Sequence, residues 1–105
     1  MKTAIHLFAS AALASLSLFG ADAAAGKALF ASKCQGCHGP TGQGNPAIAK
    51  GMKVTLRPLG SKEVQAKPDA ELKKIITGGI GKMKPAVGVS DAQAGDIVAF
   101  TRTLK

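Results

Sequence analysis

Three residues whose side chains could do chemistry stand together near the start of the chain. Cys34, Cys37 and His38 form the stretch CQGCH, and the 105-residue sequence contains no other cysteine. Two cysteines at this spacing could form a disulfide, act as a redox dithiol, supply part of a zinc site or attach a haem. The remainder of the sequence has to distinguish these four kinds of chemistry.

Three of the four interpretations fit the sequence poorly. A structural zinc site takes four Cys or His ligands, whereas the sequence holds two Cys and two His, and His6 lies in the N-terminal apolar segment. A thioredoxin-like dithiol follows a strand–helix pattern, but a helical segment precedes Cys34 and a glycine-rich loop follows His38. A disulfide between Cys34 and Cys37 would close a very small loop and would stabilise the fold little.

The haem interpretation gives each residue of the motif a role. In C-x-x-C-H, the thiols of Cys34 and Cys37 form thioether bonds to the haem, and His38 offers its imidazole to the iron. The chain has no Trp, no Tyr and four Phe, so a cofactor would supply bulk that this small core lacks. The motif therefore predicts one covalently attached haem c, with its iron, in each chain.

A second ligand for the iron is found by elimination. Without the N-terminal segment, His38 is the single histidine, and the thioether side chains are those of Met52 and Met83. Met83 lies in the loop GGIGKMKPAVG, which can wrap to the opposite side of a haem, while either methionine could simply fill the core. We predict His38 and Met83 as the metal ligands, with Met52 as the alternative to Met83.

The N-terminal residues have the order of a secretory signal peptide. Lys2 precedes an apolar run over residues 4–19, and Ala21-Asp22-Ala23 then forms an A-x-A cleavage site. We predict a signal peptide over residues 1–23, a single domain over residues 24–105 and a periplasmic location. The mature chain is expected to have no membrane span, and an uncleaved anchor is the alternative.

Three helical patterns follow in the predicted domain, at residues 24–33, 67–79 and 90–105. Ser90 and Gln93 form a capping box at the start of the third, and a weaker helical turn begins at Ser61. The segments between them are rich in Gly and Pro and are predicted to be loops, including GPTGQGNPAIAKG. No strand-like alternation is long enough for a sheet, so the predicted fold class is all-α.

The sequence resembles the class I cytochromes c, in particular the small bacterial monohaem type. The resemblance covers nearly all of the predicted domain: Gly26-x-x-x-Phe30, CQGCH, the methionine loop and the helical segment DIVAFTRTL. It implies short helices and long loops wrapped round one covalently attached haem. It also implies that the first and last helices cross in close contact, with Gly26 and Phe30 next to Phe100.

The same resemblance suggests two further contacts to the cofactor. Some relatives hold the haem propionates with Trp or Tyr, which this chain lacks, and Arg57 is the candidate to replace them. A solvated surface charge is an equally open interpretation of Arg57. The second ring N–H of His38 is expected to donate to a proline carbonyl, for which Pro46 is the candidate.

The charge of the chain points to acidic partners. The formal net charge is +8, and most of the positive charge is lysine spread along the sequence, which disfavours nucleic acid. We expect a soluble, monomeric electron carrier, not an enzyme, that docks on acidic redox proteins. The alternatives are a haem-ligand sensor or weak peroxidase with a labile sixth position, and a haem-free thiol–disulfide protein. The lysines proposed to surround the haem edge are Lys27, Lys33, Lys50, Lys53, Lys82 and Lys84.

Overall fold

The computed structural model describes residues 20–105, and most of the predicted signal peptide, residues 1–19, lies outside this range. Short helices dominate the described residues: α1 (Ala23–Lys33), α2 (Gln35–His38), α3 (Pro46–Met52), α4 (Lys62–Gln65), α5 (Asp69–Gly78), α6 (Asp91–Thr101) and a 3₁₀ turn (Arg102–Leu104). Within this range the β-structure is limited to an isolated bridge between Ile80 and Met83. The predicted all-α fold is therefore confirmed. Among the same residues, no helix has both the length and the apolar character needed to span a bilayer.

Helix α1 begins one residue before the predicted start because Asp22 caps it. The Asp22 carboxylate accepts hydrogen bonds from the backbone N–H groups of Ala24 and Ala25, at 2.9 and 3.2 Å. These donors have no partner within the helix, so the carboxylate stabilises its first turn. Asp22 and Ala23, which precede the predicted cleavage site, thus form the N-cap and first residue of α1.

Helix α6 begins at its predicted capping box, and both α5 and α6 end before the limits predicted from the sequence. The Ser90 hydroxyl accepts from the N–H of Gln93 at 3.1 Å, and the Gln93 side chain accepts from the N–H of Ser90 at 3.0 Å, which completes the capping box. Pro68 is the N-cap of α5, and Gly79 follows its last turn with φ +77°. These helices supply most of a core formed by Phe30, Leu72, Ile76, Ala94, Ile97, Val98 and Phe100.

Helices α1 and α6 cross in direct backbone contact at Gly26. A Cβ atom added to Gly26 would overlap the backbone carbonyl of Asp96 and would lie 2.9 Å from the nitrogen of Ile97. One turn along α1, the Phe30 ring packs against Phe100, with centroids 5.1 Å apart and ring planes at 55°. The crossing implied by the resemblance is therefore present, and it places the C-terminal end of α1 against the core.

Helix α3 corrects the prediction of a continuous loop over GPTGQGNPAIAKG. The Asn45 side chain accepts from the N–H of Ala47 at 3.0 Å, and Pro46 occupies the first turn, where its missing N–H costs nothing. The helix ends at Lys53, which adopts a left-handed conformation with φ 54°. The loop prediction was wrong here because the glycine content of the segment outweighed the Asn-Pro start signal.

Arg102 joins the last helix to the chain before α5. Its guanidinium donates to the Asp69 carboxylate at 2.7 Å and to the backbone carbonyls of Gln65 and Lys67 at 2.9 and 2.7 Å. Gln65 in turn donates to the carbonyls of Leu59 and Thr101. These contacts close the fold at its C-terminus, and α4 forms at the predicted Ser61 turn within the same region.

Candidate functional site

The CQGCH motif is a helical turn that continues from α1. The N–H of Cys34 donates to the carbonyl of Phe30 at 2.9 Å, so Cys34 ends α1. The carbonyl of Cys34 then accepts from the N–H groups of Cys37 and His38, at 3.2 and 3.0 Å. Cys34 is half-buried against the core, Cys37 is exposed, and neither forms a disulfide. The two thiols are therefore available one helical turn apart.

The loop after the motif holds this turn in place through Asn45. The backbone N–H of Asn45 donates to the carbonyl of Cys37 at 2.9 Å, and its side-chain amide donates to the carbonyl of Gly36 at 3.1 Å. The N–H of Gly44, whose φ is +91°, donates to the carbonyl of His38 at 2.7 Å. Asn45 was not predicted from the sequence, although the Asn-Pro pair that starts α3 was the available signal.

The imidazole of His38 is half-buried. Burial lowers the pKa of His38 below its usual value, because desolvation penalises the charged ring, so the ring is neutral at pH 7. Phe30 lies beside it, with ring centroids 6.4 Å apart. The Nδ1 atom is buried and has no hydrogen-bond partner, so the contact predicted for the carbonyl of Pro46 is not made. Pro46 instead begins α3, where carbonyls turn into the ladder of the helix.

The two thiols of the motif differ in environment. Burial, and then the proximity of Cys37, raise the pKa of the Cys34 thiol, so Cys34 is protonated at neutral pH.

Residues 20–105 contain no group of three or more His, Cys, Asp and Glu side chains arranged to hold a metal ion. Cys34, Cys37 and His38 therefore do not form a metal site by themselves in the described residues.

Met83 lies in a turn with defined geometry. Ile80 and Met83 exchange two backbone hydrogen bonds, with N···O distances of 3.0 and 2.8 Å, across Gly81, whose φ is +53°. Downstream, the N–H of Ala86 donates to the carbonyl of Ile76 at 2.8 Å, which fixes the loop against α5. Met83 is half-buried in this arrangement.

The other predicted cofactor contacts lie at different places on the chain. Met52 is the last residue of α3, with 38% of its surface exposed. The ammonium of Lys82 donates to the backbone carbonyl of Met52 at 2.8 Å, so the end of α3 lies next to the methionine loop. Arg57 is exposed in the irregular segment after α3, and the contacts described for residues 20–105 give its guanidinium no hydrogen bond or ion pair.

The residues of the motif fit a covalently attached haem. Two unpaired thiols stand one turn apart, and a neutral imidazole with a buried, unpartnered nitrogen follows them directly. A buried polar atom without a partner is rare in a finished fold and indicates that a group belongs beside it. Thiols that form thioether bonds and an imidazole that ligates iron are the donor set of haem c.

This helical fold, with its Cys-x-x-Cys-His turn, defines a small monohaem c-type cytochrome. The model of the family described as "cytochrome c oxidase, cbb3-type, subunit III" matches residues 21–100. The chain belongs to that family and is an electron-transfer protein with covalently bound haem c. No match was found among curated proteins.

The fold also occurs in a solved structure of a c-type cytochrome. The chain described as "KustC0563 c-type cytochrome" superposes with a TM-score of 0.65 and 24% sequence identity. The alignment covers 76% of this chain and 96% of that chain. At this sequence identity the similarity is one of fold alone. The superposition agrees with the architecture predicted from the sequence.

Proposed function

We propose that the chain is a soluble electron carrier whose haem iron is held by His38 and Met83. The observation that carries the proposal is the half-buried imidazole of His38, whose Nδ1 atom has no hydrogen-bond partner, directly after two free thiols. Bound in this way, the haem supplies one-electron chemistry between the ferric and ferrous states. If His38 and Met83 both held the iron, the chain itself would exclude substrates from it, which suits a carrier.

Met83 is a better second ligand than Met52 for physical reasons. Met83 is half-buried in a turn that two backbone hydrogen bonds close, so few conformations of its main chain need to be restricted on binding. Met52 is more exposed and ends a short helix. A thioether ligand in an apolar setting favours ferrous iron and raises the potential.

We also propose that Arg57 contacts a haem propionate. It is exposed and free of other recorded partners, and its neighbour Leu56 packs against Gly44 in the loop that holds the motif. A guanidinium can bind a carboxylate through two parallel hydrogen bonds. The segment that carries Arg57 therefore lies next to the loop whose Gly44 donates a hydrogen bond to the carbonyl of His38.

Export and assembly can be tested on one preparation. We propose that residues 1–23 direct export to the periplasm and are removed, and that the mature chain is a monomer. Expressed with haem-attachment machinery, the protein should have the mass of residues 24–105 plus one haem, and a six-coordinate, low-spin spectrum in both oxidation states. Five-coordinate, high-spin iron would instead support a ligand sensor or peroxidase. A colourless protein would leave the dithiol as the function of CQGCH.

The distribution of charge supports a basic docking face near the methionine loop. The Lys82 ammonium reaches the end of α3, close to Lys50 and Lys53, and the Lys33 ammonium lies beside Gly88. The ion pairs recorded in residues 20–105 use other cations: Lys67 with Glu71, Lys73 with Asp91 and Arg102 with Asp69. Lysines around the loop therefore keep their charge unneutralised, and we propose that they steer an acidic redox partner.

Neutralising two of these lysines should slow electron transfer to an acidic partner. Each unit charge at about 10 Å in water contributes about 0.4 kcal/mol, so Lys50→Gln with Lys84→Gln should lower the low-salt bimolecular rate by about fourfold. Stopped-flow measurements over a range of ionic strengths check this, since screening should remove the difference. The control is Lys67→Gln with Lys73→Gln. It lowers the net charge by the same amount, but at lysines that form ion pairs with Glu71 and Asp91. Equal slowing by both double variants would argue against a docking face.

A further inference from the structure

In the structure Gly78 belongs to α5, so the methionine loop begins at Gly79. Backbone hydrogen bonds anchor it on both sides of its tip, residues 80–83. The N–H of Gly79 donates to the carbonyl of Ile75 at 2.8 Å, and the N–H of Ala86 donates to that of Ile76 at 2.8 Å. Between these anchors the chain turns back on itself, and Ile80 is 58% exposed. The tip therefore lies away from the core, and core packing does not fix its position.

A hydrogen bond from the Lys82 side chain connects the tip to α3. The ammonium donates to the backbone carbonyl of Met52 at 2.8 Å, across 30 residues of sequence. Met52 ends α3, where carbonyls have no partner within the helix and a positive charge is favourable. Among the hydrogen bonds recorded for residues 20–105, this is the one that joins the tip to the segment 45–56.

We propose that Lys82 is a positioning residue, which holds the tip against α3 and thereby keeps Met83 on the iron. The proposal rests on the ligation by Met83 proposed above. Lys82 directly precedes Met83, so a bond that fixes Lys82 also restricts the main chain of Met83. For another ligand to replace the thioether, the tip has to move away from α3, and the bond to Met52 has to break. Removing the ammonium should therefore make the sixth position easier to enter.

Lys84 provides a matched control on the other side of Met83. It is exposed, and none of the contacts described for residues 20–105 gives its ammonium a hydrogen bond or ion pair. Lys82→Ala and Lys84→Ala each remove one positive charge next to Met83, so their difference isolates the bond to Met52. Lys82→Arg keeps a positively charged donor of similar reach, so its imidazole affinity should match that of the native chain.

The experiment is an equilibrium titration of the purified ferric, haem-loaded protein with imidazole, followed by absorption. Loss of one net hydrogen bond should raise the imidazole affinity of Lys82→Ala by about two- to tenfold. Lys84→Ala and Lys82→Arg should stay within about twofold of the native chain. The ferric thioether band should weaken at lower imidazole concentration in Lys82→Ala than in the other two variants.

Two results would overturn the proposal: one rejects the role of Lys82 alone, and the other rejects ligation by Met83 as well. Equal affinities for Lys82→Ala and Lys84→Ala would reject the positioning role, even if Met83→Ala abolishes the thioether band and so supports ligation by Met83. A native chain that binds imidazole as tightly as Met83→Ala would reject ligation by Met83 itself, and the role of Lys82 with it.

Discussion

Met83→Ala is expected to abolish the ferric thioether band and to lower the reduction potential by on the order of 100 mV. Axial ligands set haem potentials over a range of about 0.8 V, and a thioether lies at the side that favours ferrous iron. Without it, water or a harder ligand would occupy the sixth position and stabilise ferric iron. Voltammetry and absorption spectra of the purified variant measure both effects.

Met52→Ala is the control for this experiment. The substitution removes the exposed thioether but keeps the backbone carbonyl that accepts the hydrogen bond from Lys82. The spectrum and the potential should therefore be those of the native chain. If Met52→Ala loses the band and Met83→Ala keeps it, Met52 is the ligand. If both variants keep it, the sixth ligand is another group and the elimination from sequence was wrong.

The start of α6 was predictable because its signal is local. The capping box of α6 joins Ser90 to Gln93, which are three residues apart, so the short sequence pattern contains the complete hydrogen-bonded unit. Helix α3 has an equally local signal in Asn45 and Pro46, but it is only seven residues long. Its sequence shows no apolar periodicity over several turns, and glycines precede and interrupt it.

The site divides in the same way between local and distant contacts. Cys34, Cys37 and His38 are recognisable because one helical turn sets their spacing and their chemistry requires those residue types. The bond from Lys82 to Met52 joins residues 30 positions apart, and those from Arg102 to residues 65–69 join residues 33 to 37 apart. Such contacts depend on the path of the loops, which the sequence pattern does not specify. They became visible once the backbone was known.

Gly26→Ala is expected to destabilise the protein, although alanine is the better residue in an ordinary helix. In α1 the exchange would favour folding by up to about 1 kcal/mol if the site were open. Here the added Cβ would overlap the carbonyl of Asp96, a backbone group of α6 that cannot rotate away. The helices would have to separate, which would also loosen the contact between Phe30 and Phe100. We expect a loss of about 3 kcal/mol in the free energy of unfolding, measured by urea titration of the haem-loaded protein.

Gly51→Ala tests the same substitution where there is room. Gly51 is exposed in α3, its backbone is helical, and a Cβ there would meet no atom within 4 Å. Its free energy of unfolding should be unchanged or higher by up to about 1 kcal/mol, because alanine restricts the unfolded chain. A clear difference between the variants would locate the helix crossing at Gly26. If the two variants are equally stable, α1 and α6 do not meet there, and the end of α1 that carries Cys34 is positioned by other contacts.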